Sequence, residues 1–487
     1  MDRPRTLGRL RESGYRPRTV KQELRDNLIA KLTTGENVFP GIVGFDRTVI
    51  PQIQNAILSG HDFILLGLRG QAKTRILRAL PALLDEWIPA IEGSPLNEDP
   101  LRPITTLGRR RVAEEGADLP IMWIPRAERY REKLATPDVT IADLIGDIDP
   151  IKAATRKLTL DDPEVIHYGI VPRTNRGIFA INELPDLQAR IQVGLLNILE
   201  EGDIQIRGFP IRMPLDIVLV FSANPEDYTN RGNIITPLRD RISSQILTHY
   251  PRTVAESRRI TQQEAWSERG GVEVTVPEYL EVTVEETAFQ ARASELVDQN
   301  SGVSARMTIS LYENLLSNAE RRALLRGQER AVARVSDLFN AISAIMGKVE
   351  LVYEGEREGV RNVALSLVGR AIKAVFDGKL PDPNRSQGDD EDTEYRPILG
   401  WFTGSRTLDL SDDLSDEELH RHLQAIPGLE PVAAKHLDPK GNAESAAAME
   451  FVLEGLHQSA LLSKEDVVGG RVYRDTFEEM VRSFNSP

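Results

Sequence analysis

One segment, residues 63–74 with the sequence FILLGLRGQAKT, constrains this chain more than any other. Its apolar start predicts a buried strand. Gly67 and Gly70 then allow the backbone to turn tightly, so that its N–H groups point inward. A helix that begins near Lys73 adds its positive amino-terminal end. The segment therefore predicts a strand, a loop that binds phosphate groups, and a helix.

The polar residues of this loop have separable predicted roles. Lys73 would contact the β- and γ-phosphates of a nucleotide, and the hydroxyl of Thr74 would bind a magnesium ion. Gln71 and Ala72 belong to the same nucleotide-binding loop. Ala72 stands where the pattern G-x-x-x-x-G-K-S/T has its second glycine, and we expect alanine to fit there with a negative φ angle. The alternative interpretation is an ordinary strand-to-helix turn that contains a lysine.

Composition narrows the class of protein. The 487 residues allow about two to four domains. The net charge of −14 argues against a general nucleic-acid binder, because such proteins carry a basic face. The absence of cysteine excludes disulfides, thiolate metal ligands and cysteine nucleophiles. The sequence has neither a signal-peptide pattern nor an apolar run of about 18 residues, so we expect a cytoplasmic protein without a membrane span.

Alternating strands and helices predict an α/β domain built on a parallel sheet. Apolar runs predict further strands at 121–124, 177–183 and 217–224. Helical spacing of apolar residues predicts an amphipathic helix over 20–32, and alternation around a glycine predicts a hairpin over 202–212. Because the carboxyl ends of strands in such a sheet carry ligand-binding groups, the residues that follow these strands are the candidates for chemistry.

Changes in composition and pattern predict the domain boundaries. These are a helical lead-in at 1–36, an α/β core at 37–252 with an insertion at about 136–176, a helical lid at 253–385, an acidic linker at 386–404 and a small, mostly helical C-terminal domain at 405–487. The insertion is suited to a hairpin or a helix that projects from the sheet. Later helices are predicted after Arg306, over 332–345 and over 443–462, and Ser415 with Glu418 forms a capping box.

Hydrolysis of a nucleotide needs more than a phosphate-binding loop, and the later segments supply the other groups in the expected order. Glu183 ends a buried strand and can act as a general base, while Asn224 ends the next strand and can orient the attacking water. Arg241 can act as an arginine finger, and Arg306 opens a predicted helix and could reach back to the phosphates. The alternatives are structural: a helix-capping acid, a turn residue and two surface charges.

Together these residues resemble the AAA+ ATPases of the magnesium-chelatase motor subunit and MoxR clade, the helix-2-insert group. The resemblance covers about residues 36–350 and is carried by the segments 42–44, 63–74, 143–149, 175–177, 201–202, 222–226 and 240–241. It implies an AAA+ P-loop core with a parallel sheet, followed by an α-helical lid.

The resemblance also implies residue roles. Lys73 and Thr74 would belong to Walker A, Asn182 and Glu183 to Walker B, and Val43 to the nucleotide-binding set. By the same resemblance, Asn224 would be sensor 1, Arg241 the finger and Arg306 sensor 2. The implied cofactors are ATP and Mg²⁺, and the implied assembly is a ring, usually a hexamer, with nucleotide between subunits. The implied protein partner carries a von Willebrand A domain.

One residue departs from the family pattern. Walker B normally ends in Asp-Glu, whereas this chain has Asn182-Glu183. The missing aspartate would hold magnesium through a water; asparagine can still accept that hydrogen bond but lacks the charge, so we expect weakened metal binding and slow turnover. Three functions stay open: a remodelling motor that acts on a protein, chelatase-like or MoxR-like; a nucleotide-stabilised assembly factor with little hydrolysis; and a nucleic-acid motor or transcription activator.

Overall fold

A computed structural model describes residues 3–157, 163–206, 212–225, 232–383, 394–403 and 406–476. The chain divides into two compact units, Met1–His249 and Tyr250–Pro487. Part of the predicted hairpin at 202–212, part of the predicted acidic linker and the end of the predicted C-terminal domain lie outside the described residues.

In the described residues the strands are, from β1 to β16, Phe63–Leu66, Trp87–Ile91, Ile121–Pro125, Tyr130–Leu134, Gly146–Ile148, Ile166–Tyr168, Gly177–Asn182, Asp203–Gln205, Arg212–Pro214, Ile217–Ala223, Ser244–Leu247, Glu273–Thr275, Arg330–Val332, Leu408–Ser411, Leu462–Val467 and Gly470–Asp475. The α-helices are, from α1 to α21, Leu7–Glu12, Val20–Thr34, Val49–Leu58, Lys73–Ala79, Thr106–Glu115, Ile141–Leu144, Pro150–Arg156, Ala189–Gln192, Leu196–Glu201, Thr236–Arg241, Val254–Glu264, Glu278–Ala293, Arg306–Leu325, Val335–Phe339, Ser343–Met346, Tyr353–Glu358, Val360–Lys379, Arg396–Phe402, Asp416–Gln424, Leu429–Leu437 and Gly441–Gln458.

The first unit is built on a five-stranded sheet in the order β11-β1-β10-β7-β4, and all its neighbouring strands run parallel. Side chains of β1 alternate between two hydrophobic clusters: Phe63 and Leu65 join one, and Ile64 joins the other. The sheet is therefore buried on both faces, which explains the continuous apolar runs of its inner strands. The predicted parallel α/β fold is confirmed.

Different segments cover the two faces of this sheet. Helices α2, α3 and α4 contribute to the cluster on one face. Helix α2 begins with a capping box between Thr19 and Gln22, and it buries Val20, Leu24 and Leu28. Segments around α8, α9 and the β8–β9 pair contribute to the other face, together with the insertion. The amino-terminal lead-in is thus packed into the core of the first unit.

Several strands of the first unit differ from the sequence prediction. The predicted strand at 121–124 exists as β3, but it pairs antiparallel with β2 and lies outside the central sheet. One edge strand of that sheet is β4, whose polar sequence YREKL gave no strand signal. The insertion contains both of the predicted kinds of element, since β5 pairs antiparallel with β6 and two short helices, α6 and α7, accompany them.

The second unit consists mostly of helices around a single hydrophobic cluster. That cluster extends from Tyr279 to Tyr473, so segments on both sides of the predicted linker contribute to one core. The predicted continuous helix at 332–345 is wrong, because β13 ends at Val332 and two short helices, α14 and α15, follow. The three-stranded antiparallel sheet β14-β16-β15 was not predicted. The capping box of Ser415 and Glu418 is confirmed at the start of α19.

In the part of the chain that the structure describes, no α-helix combines the length and the apolar character needed to span a lipid bilayer.

Candidate functional site

The predicted phosphate loop, Asn182 and Asn224 lie at one edge of the central sheet. Strand β10 lies between β1 and β7, and all three strands run parallel, so they end at the same edge. The backbone N–H of Gly67 donates to the carbonyl oxygen of Ala223 at 3.2 Å. This edge, where the chain leaves the carboxyl ends of the strands, is called the carboxyl edge below.

The loop between β1 and α4 turns through left-handed backbone at two residues. The φ angle is +74° at Gly70 and +55° at Ala72. The prediction of a negative φ at Ala72 is wrong, because the residue before Lys73 occupies the left-handed region that a glycine adopts without strain. For alanine this conformation costs about 1–2 kcal/mol. A peptide that turns in this way presents its N–H groups to one side, as an anion site requires.

Gly67 is required for a different reason from the left-handed residues of the loop. Its φ angle is not among the left-handed ones. A Cβ atom at this position would lie 1.9 Å from Oγ1 of Thr248 and 2.2 Å from Oε1 of Gln71. Glycine is therefore needed at residue 67 for space, because two side chains occupy the volume that a Cβ would take.

Lys73 is the central positive charge of the loop. Its side chain is buried, and its ammonium group donates hydrogen bonds to the carbonyl oxygens of Gly67 and, at 2.9 Å, of Leu68. Half-buried Thr74 follows it in α4 and brings a hydroxyl group. An ammonium group, a hydroxyl group and the backbone N–H groups of the loop are the kinds of donors that bind the phosphates of a nucleotide.

The metal site that this set would complete needs few protein ligands. Among the residues that the structure describes, no group of three His, Cys, Asp or Glu residues could hold a metal ion. Magnesium is commonly held by one or two side chains together with substrate phosphates and water. Thr74 and Asn182 are the residues that would hold it here.

Asn182 and Glu183 stand at the end of β7. Asn182 is buried, and its Oδ1 accepts a hydrogen bond from the hydroxyl of Ser222 at 3.0 Å, which leaves one lone pair of that oxygen for a water. Glu183 has a left-handed backbone with φ of +55°. Such conformations in residues other than glycine are uncommon and concentrate at functional sites. Asn224, also buried, directly follows β10.

Arg241 lies at the end of α10 and is held within its own unit. Its Nε and Nη2 contact Oε2 of Glu200 at 2.8 and 2.6 Å, and its Nη1 donates to the carbonyl of Pro237 at 3.0 Å. The Arg241 side chain is 30% exposed and that of Glu200 is 52% exposed. Such a solvent-exposed ion pair contributes little stability, so it can exchange for another partner at low cost.

The other predicted residues are placed as follows. Half-buried Val43 lies in the loop before α3. In the same loop region Phe45 packs edge-on against His249 with ring centres 4.9 Å apart, and Thr48 is hydrogen-bonded to His249 at 2.8 Å. Arg306 belongs to the second unit, where its exposed side chain begins α13.

Three further residues that contact predicted site residues were missed by the sequence analysis. They are Ser222, which bonds Asn182; Thr248, which bonds Gln71; and Glu200, which pairs with Arg241. Ser222 could have been found, because it is a polar residue near the end of an apolar strand. Thr248 follows β11, a short strand that the sequence pattern did not reveal.

The chain was compared with known proteins. No protein-family model matches it. It is 26% identical over 330 residues to the magnesium-chelatase subunit ChlI of Nostoc sp., which covers 63% of this chain and 82% of that one. It is 31% identical over 220 residues to the magnesium-chelatase 38 kDa subunit of Cereibacter sphaeroides, which covers 44% of this chain and 60% of that one.

A solved structure offers a weaker likeness. A model of the complex between subunits BchI and BchD of magnesium chelatase shares 22% identity, with a TM-score of 0.30, over 70% of this chain and 99% of that one. A TM-score this low supports no structural argument. The relationship therefore depends on the sequence matches, together with the strand order and the loop described above.

Proposed function

We propose that this chain, which is similar to the ChlI subunits of magnesium chelatase, is an AAA+ ATPase that couples binding and hydrolysis of Mg-ATP to the remodelling or activation of a protein partner. The observation that carries the proposal is the carboxyl edge of the central sheet. There the loop of Lys73 follows β1, the pair Asn182–Glu183 stands at the end of β7, and Asn224 follows β10; these three strands are adjacent and parallel.

In this proposal the phosphate-binding loop and the residues beside it bind the nucleotide. The ammonium of Lys73 would leave its two backbone carbonyls for the phosphates, which are stronger acceptors because they are charged. The N–H groups from Gly70 to Thr74 would surround the same oxygens. A bound magnesium ion would neutralise part of the phosphate charge, with Thr74 as ligand and Asn182 reached through water.

In this proposal the residues at the ends of β7 and β10 carry out hydrolysis. Glu183 would take a proton from the attacking water, and Asn224 would orient that water. The left-handed backbone of Glu183 directs its side chain differently from a continuing strand. Asn182 carries no charge beside them, so the pull of the site on magnesium is weaker than with an aspartate.

A ring would complete the site. We propose a homo-oligomer, by resemblance a hexamer, in which Arg241 serves the nucleotide of the neighbouring subunit and Arg306 acts as the sensor of the lid. Arg241 would exchange Glu200 for a phosphate, which the exposed ion pair permits. An arginine finger of this kind contributes about 10³-fold or more to turnover.

The test uses purified protein and measures ATP binding and phosphate release separately. Glu183→Gln should bind ATP like the wild type and stop hydrolysis, whereas an unchanged rate would place the base elsewhere. Arg241→Ala should lower turnover by about 10³-fold, while Arg239→Ala, an exposed arginine on the same helix, serves as the matched control. Mixing Glu183→Gln with Arg241→Ala subunits should restore part of the activity, because some interfaces then combine an intact base with an intact finger.

The second candidate function is an assembly factor that binds ATP and hydrolyses little. The observation in its favour is Asn182, whose Oδ1 is already engaged by Ser222. Phosphate release at background from a protein that binds ATP tightly would support it. Asn182→Asp separates the two candidates, since a motor slowed by weak metal binding should gain turnover at limiting magnesium, and an assembly factor should not.

The partner is proposed from the resemblance, as a protein that carries a von Willebrand A domain. Affinity capture with the Glu183→Gln protein locked in ATP tests this, and recovery of partners without such a domain would contradict it. We also propose a cytoplasmic location, where ATP is supplied. The nucleic-acid motor has no observation in its favour, given a net charge of −14.

A further inference from the structure

Thr248 touches the phosphate loop from the neighbouring strand. It directly follows β11, which pairs with β1, and it is buried. Its backbone N–H donates to the carbonyl of Leu66 at 2.8 Å, and its hydroxyl lies 2.7 Å from Oε1 of Gln71 and 3.2 Å from the carbonyl of Leu66. A hydroxyl carries one proton, so the shorter contact, to Gln71, takes it.

The contact between Thr248 and Gln71 also explains the glycine at position 67. The Thr248 hydroxyl and the Gln71 side-chain oxygen meet in the volume that a Cβ of residue 67 would fill, at 1.9 and 2.2 Å from it. The hydrogen bond and the glycine therefore form one arrangement. Gln71 is buried and sits between Gly70 and Ala72, the two left-handed residues of the loop.

We propose that Thr248 is a positioning residue for the phosphate-binding loop. By holding Gln71, its hydroxyl fixes the turn between Gly70 and Lys73 in the conformation whose N–H groups face the phosphates. The inference rests on the proposed nucleotide site and deepens it. Thr248 acts through Gln71 and does not touch the nucleotide.

The next residue extends the same connection. His249 contacts Phe45 and Thr48, in the loop region that carries Val43. The dipeptide Thr248-His249 therefore touches both chain segments that are predicted to contact the nucleotide. It also ends the first unit, since the second begins at Tyr250.

The effect expected of this role is on affinity. Without the hydroxyl, buried Gln71 keeps an unsatisfied oxygen in the folded loop, and the loop relaxes away from the binding conformation. Because the ordered loop serves the bound substrate and the transition state alike, the loss should raise KM and Kd while kcat at saturating ATP stays the same.

The experiment compares Thr248→Val, which keeps the shape and removes the hydroxyl, with Thr248→Ser, which keeps the hydroxyl. Thr174→Val is the matched control, because Thr174 is a buried threonine of the same unit whose hydroxyl donates to the carbonyl of Ile170. Thr248→Val should raise the Kd for ATP about tenfold with kcat within about twofold, and Thr248→Ser and Thr174→Val should bind like the wild type.

A double-mutant cycle with Gln71→Ala tests the mechanism and covers poor folding of the valine variant. Gln71→Ala alone should raise the Kd for ATP by a similar factor. The Kd of the double variant should lie within about twofold of that of either single variant, because both substitutions remove the same interaction. An unchanged Kd in Thr248→Val, or full additivity in the cycle, would overturn the inference while leaving the proposed function intact. A wild-type protein that does not bind ATP would overturn both.

Discussion

The two edges of the central sheet are built from different residues. At the amino edge, defined by the residues that directly precede the strands, four of the five strands follow a charged residue: Asp62 before β1, Arg129 before β4, Arg176 before β7 and Asp216 before β10. At the carboxyl edge the residues that directly follow those strands are Gly67, Ala135, Glu183 and Asn224. Charge is therefore concentrated where the strands begin, away from the predicted chemistry.

The charges of the amino edge have partners within the protein, and most of them are on or near α2. Arg129 forms a bidentate ion pair with Glu23 at 2.6–2.7 Å, and both side chains are at most 5% exposed. Lys21 bonds Asp62 at 2.7 Å, and the N–H of Val20 donates to Asp216 at 2.9 Å. These contacts therefore hold helix α2 against the sheet.

Arg176, at the same amino edge, also has partners within the protein. It contacts Asp99 at 3.0 Å, the hydroxyl of Tyr15 at 2.9 Å and the carbonyl of Pro89 at 2.6 Å. The segment 175–177, which contributes to the family resemblance, thus has a structural role at the edge opposite the nucleotide loop. From this comparison we expect substitutions at the amino edge to change stability and substitutions at the carboxyl edge to change ATP binding.

Lys73→Ala should have the largest effect of these substitutions, and it should change ATP binding alone. Removing the ammonium removes about two charge-assisted hydrogen bonds to phosphate, so the affinity for ATP should fall by about 10³-fold or more. Calorimetric titration measures this, with Lys31→Ala, a lysine in a surface pair with Glu36, as control. Normal ATP affinity in Lys73→Ala would end the assignment of the carboxyl edge.

Glu23→Ala should show the converse behaviour. It leaves Arg129 buried without its bidentate partner, and breaking such a pair costs about 3–5 kcal/mol in the free energy of unfolding. The ATP affinity of the folded fraction should not change. Glu115→Ala, in the more exposed pair with Arg111, should leave both quantities unchanged. A weaker ATP affinity in Glu23→Ala would mean that the two edges are coupled.

Asp216→Asn should change how stability depends on pH. Burial raises the pKa of Asp216 from 3.8 to about 6, although the N–H of Val20 and the charge of Arg176 oppose the rise. A carboxyl with a raised pKa favours folding when protonated, so its contribution is present below the ordinary pKa and is lost as pH rises through about 6.

The measurement is urea unfolding across a pH series. Between about pH 4 and pH 7 the wild type should lose about 2–3 kcal/mol more than Asp216→Asn. Identical pH profiles would show that the amino edge holds Asp216 without perturbing it. ATP affinity serves as the internal control, since this residue lies at the edge opposite the nucleotide loop.

The sequence could predict the carboxyl edge better than the amino edge. Strands β1, β7 and β10 are buried on both faces, so their apolar runs are visible, and the residues that follow them are found by reading on. Strands β4 and β11 are the outer strands and keep polar residues, so neither they nor Thr248 were predicted. The partners of the amino edge could not be predicted, since Glu23 and Arg129 are 106 residues apart.

Ala72→Gly is expected to have the smallest effect, and it tests strain at the carboxyl edge. Glycine adopts the φ of +55° without the steric cost that alanine meets, and this relief exceeds the entropy that glycine adds to the unfolded chain. The free energy of unfolding should therefore rise by about 0.5–1 kcal/mol, with ATP affinity within about twofold of the wild type.

The matched control for Ala72→Gly is Ala79→Gly, at the end of helix α4, which begins directly after Ala72. Ala79 has a helical backbone with φ of −86°, where glycine should lower the free energy of unfolding by about 0.5–1 kcal/mol. Opposite signs at the two alanines would show that strain is located in the loop before Lys73. Destabilisation at both would mean that the loop accommodates alanine at no cost, and the carboxyl edge would then store no strain at Ala72.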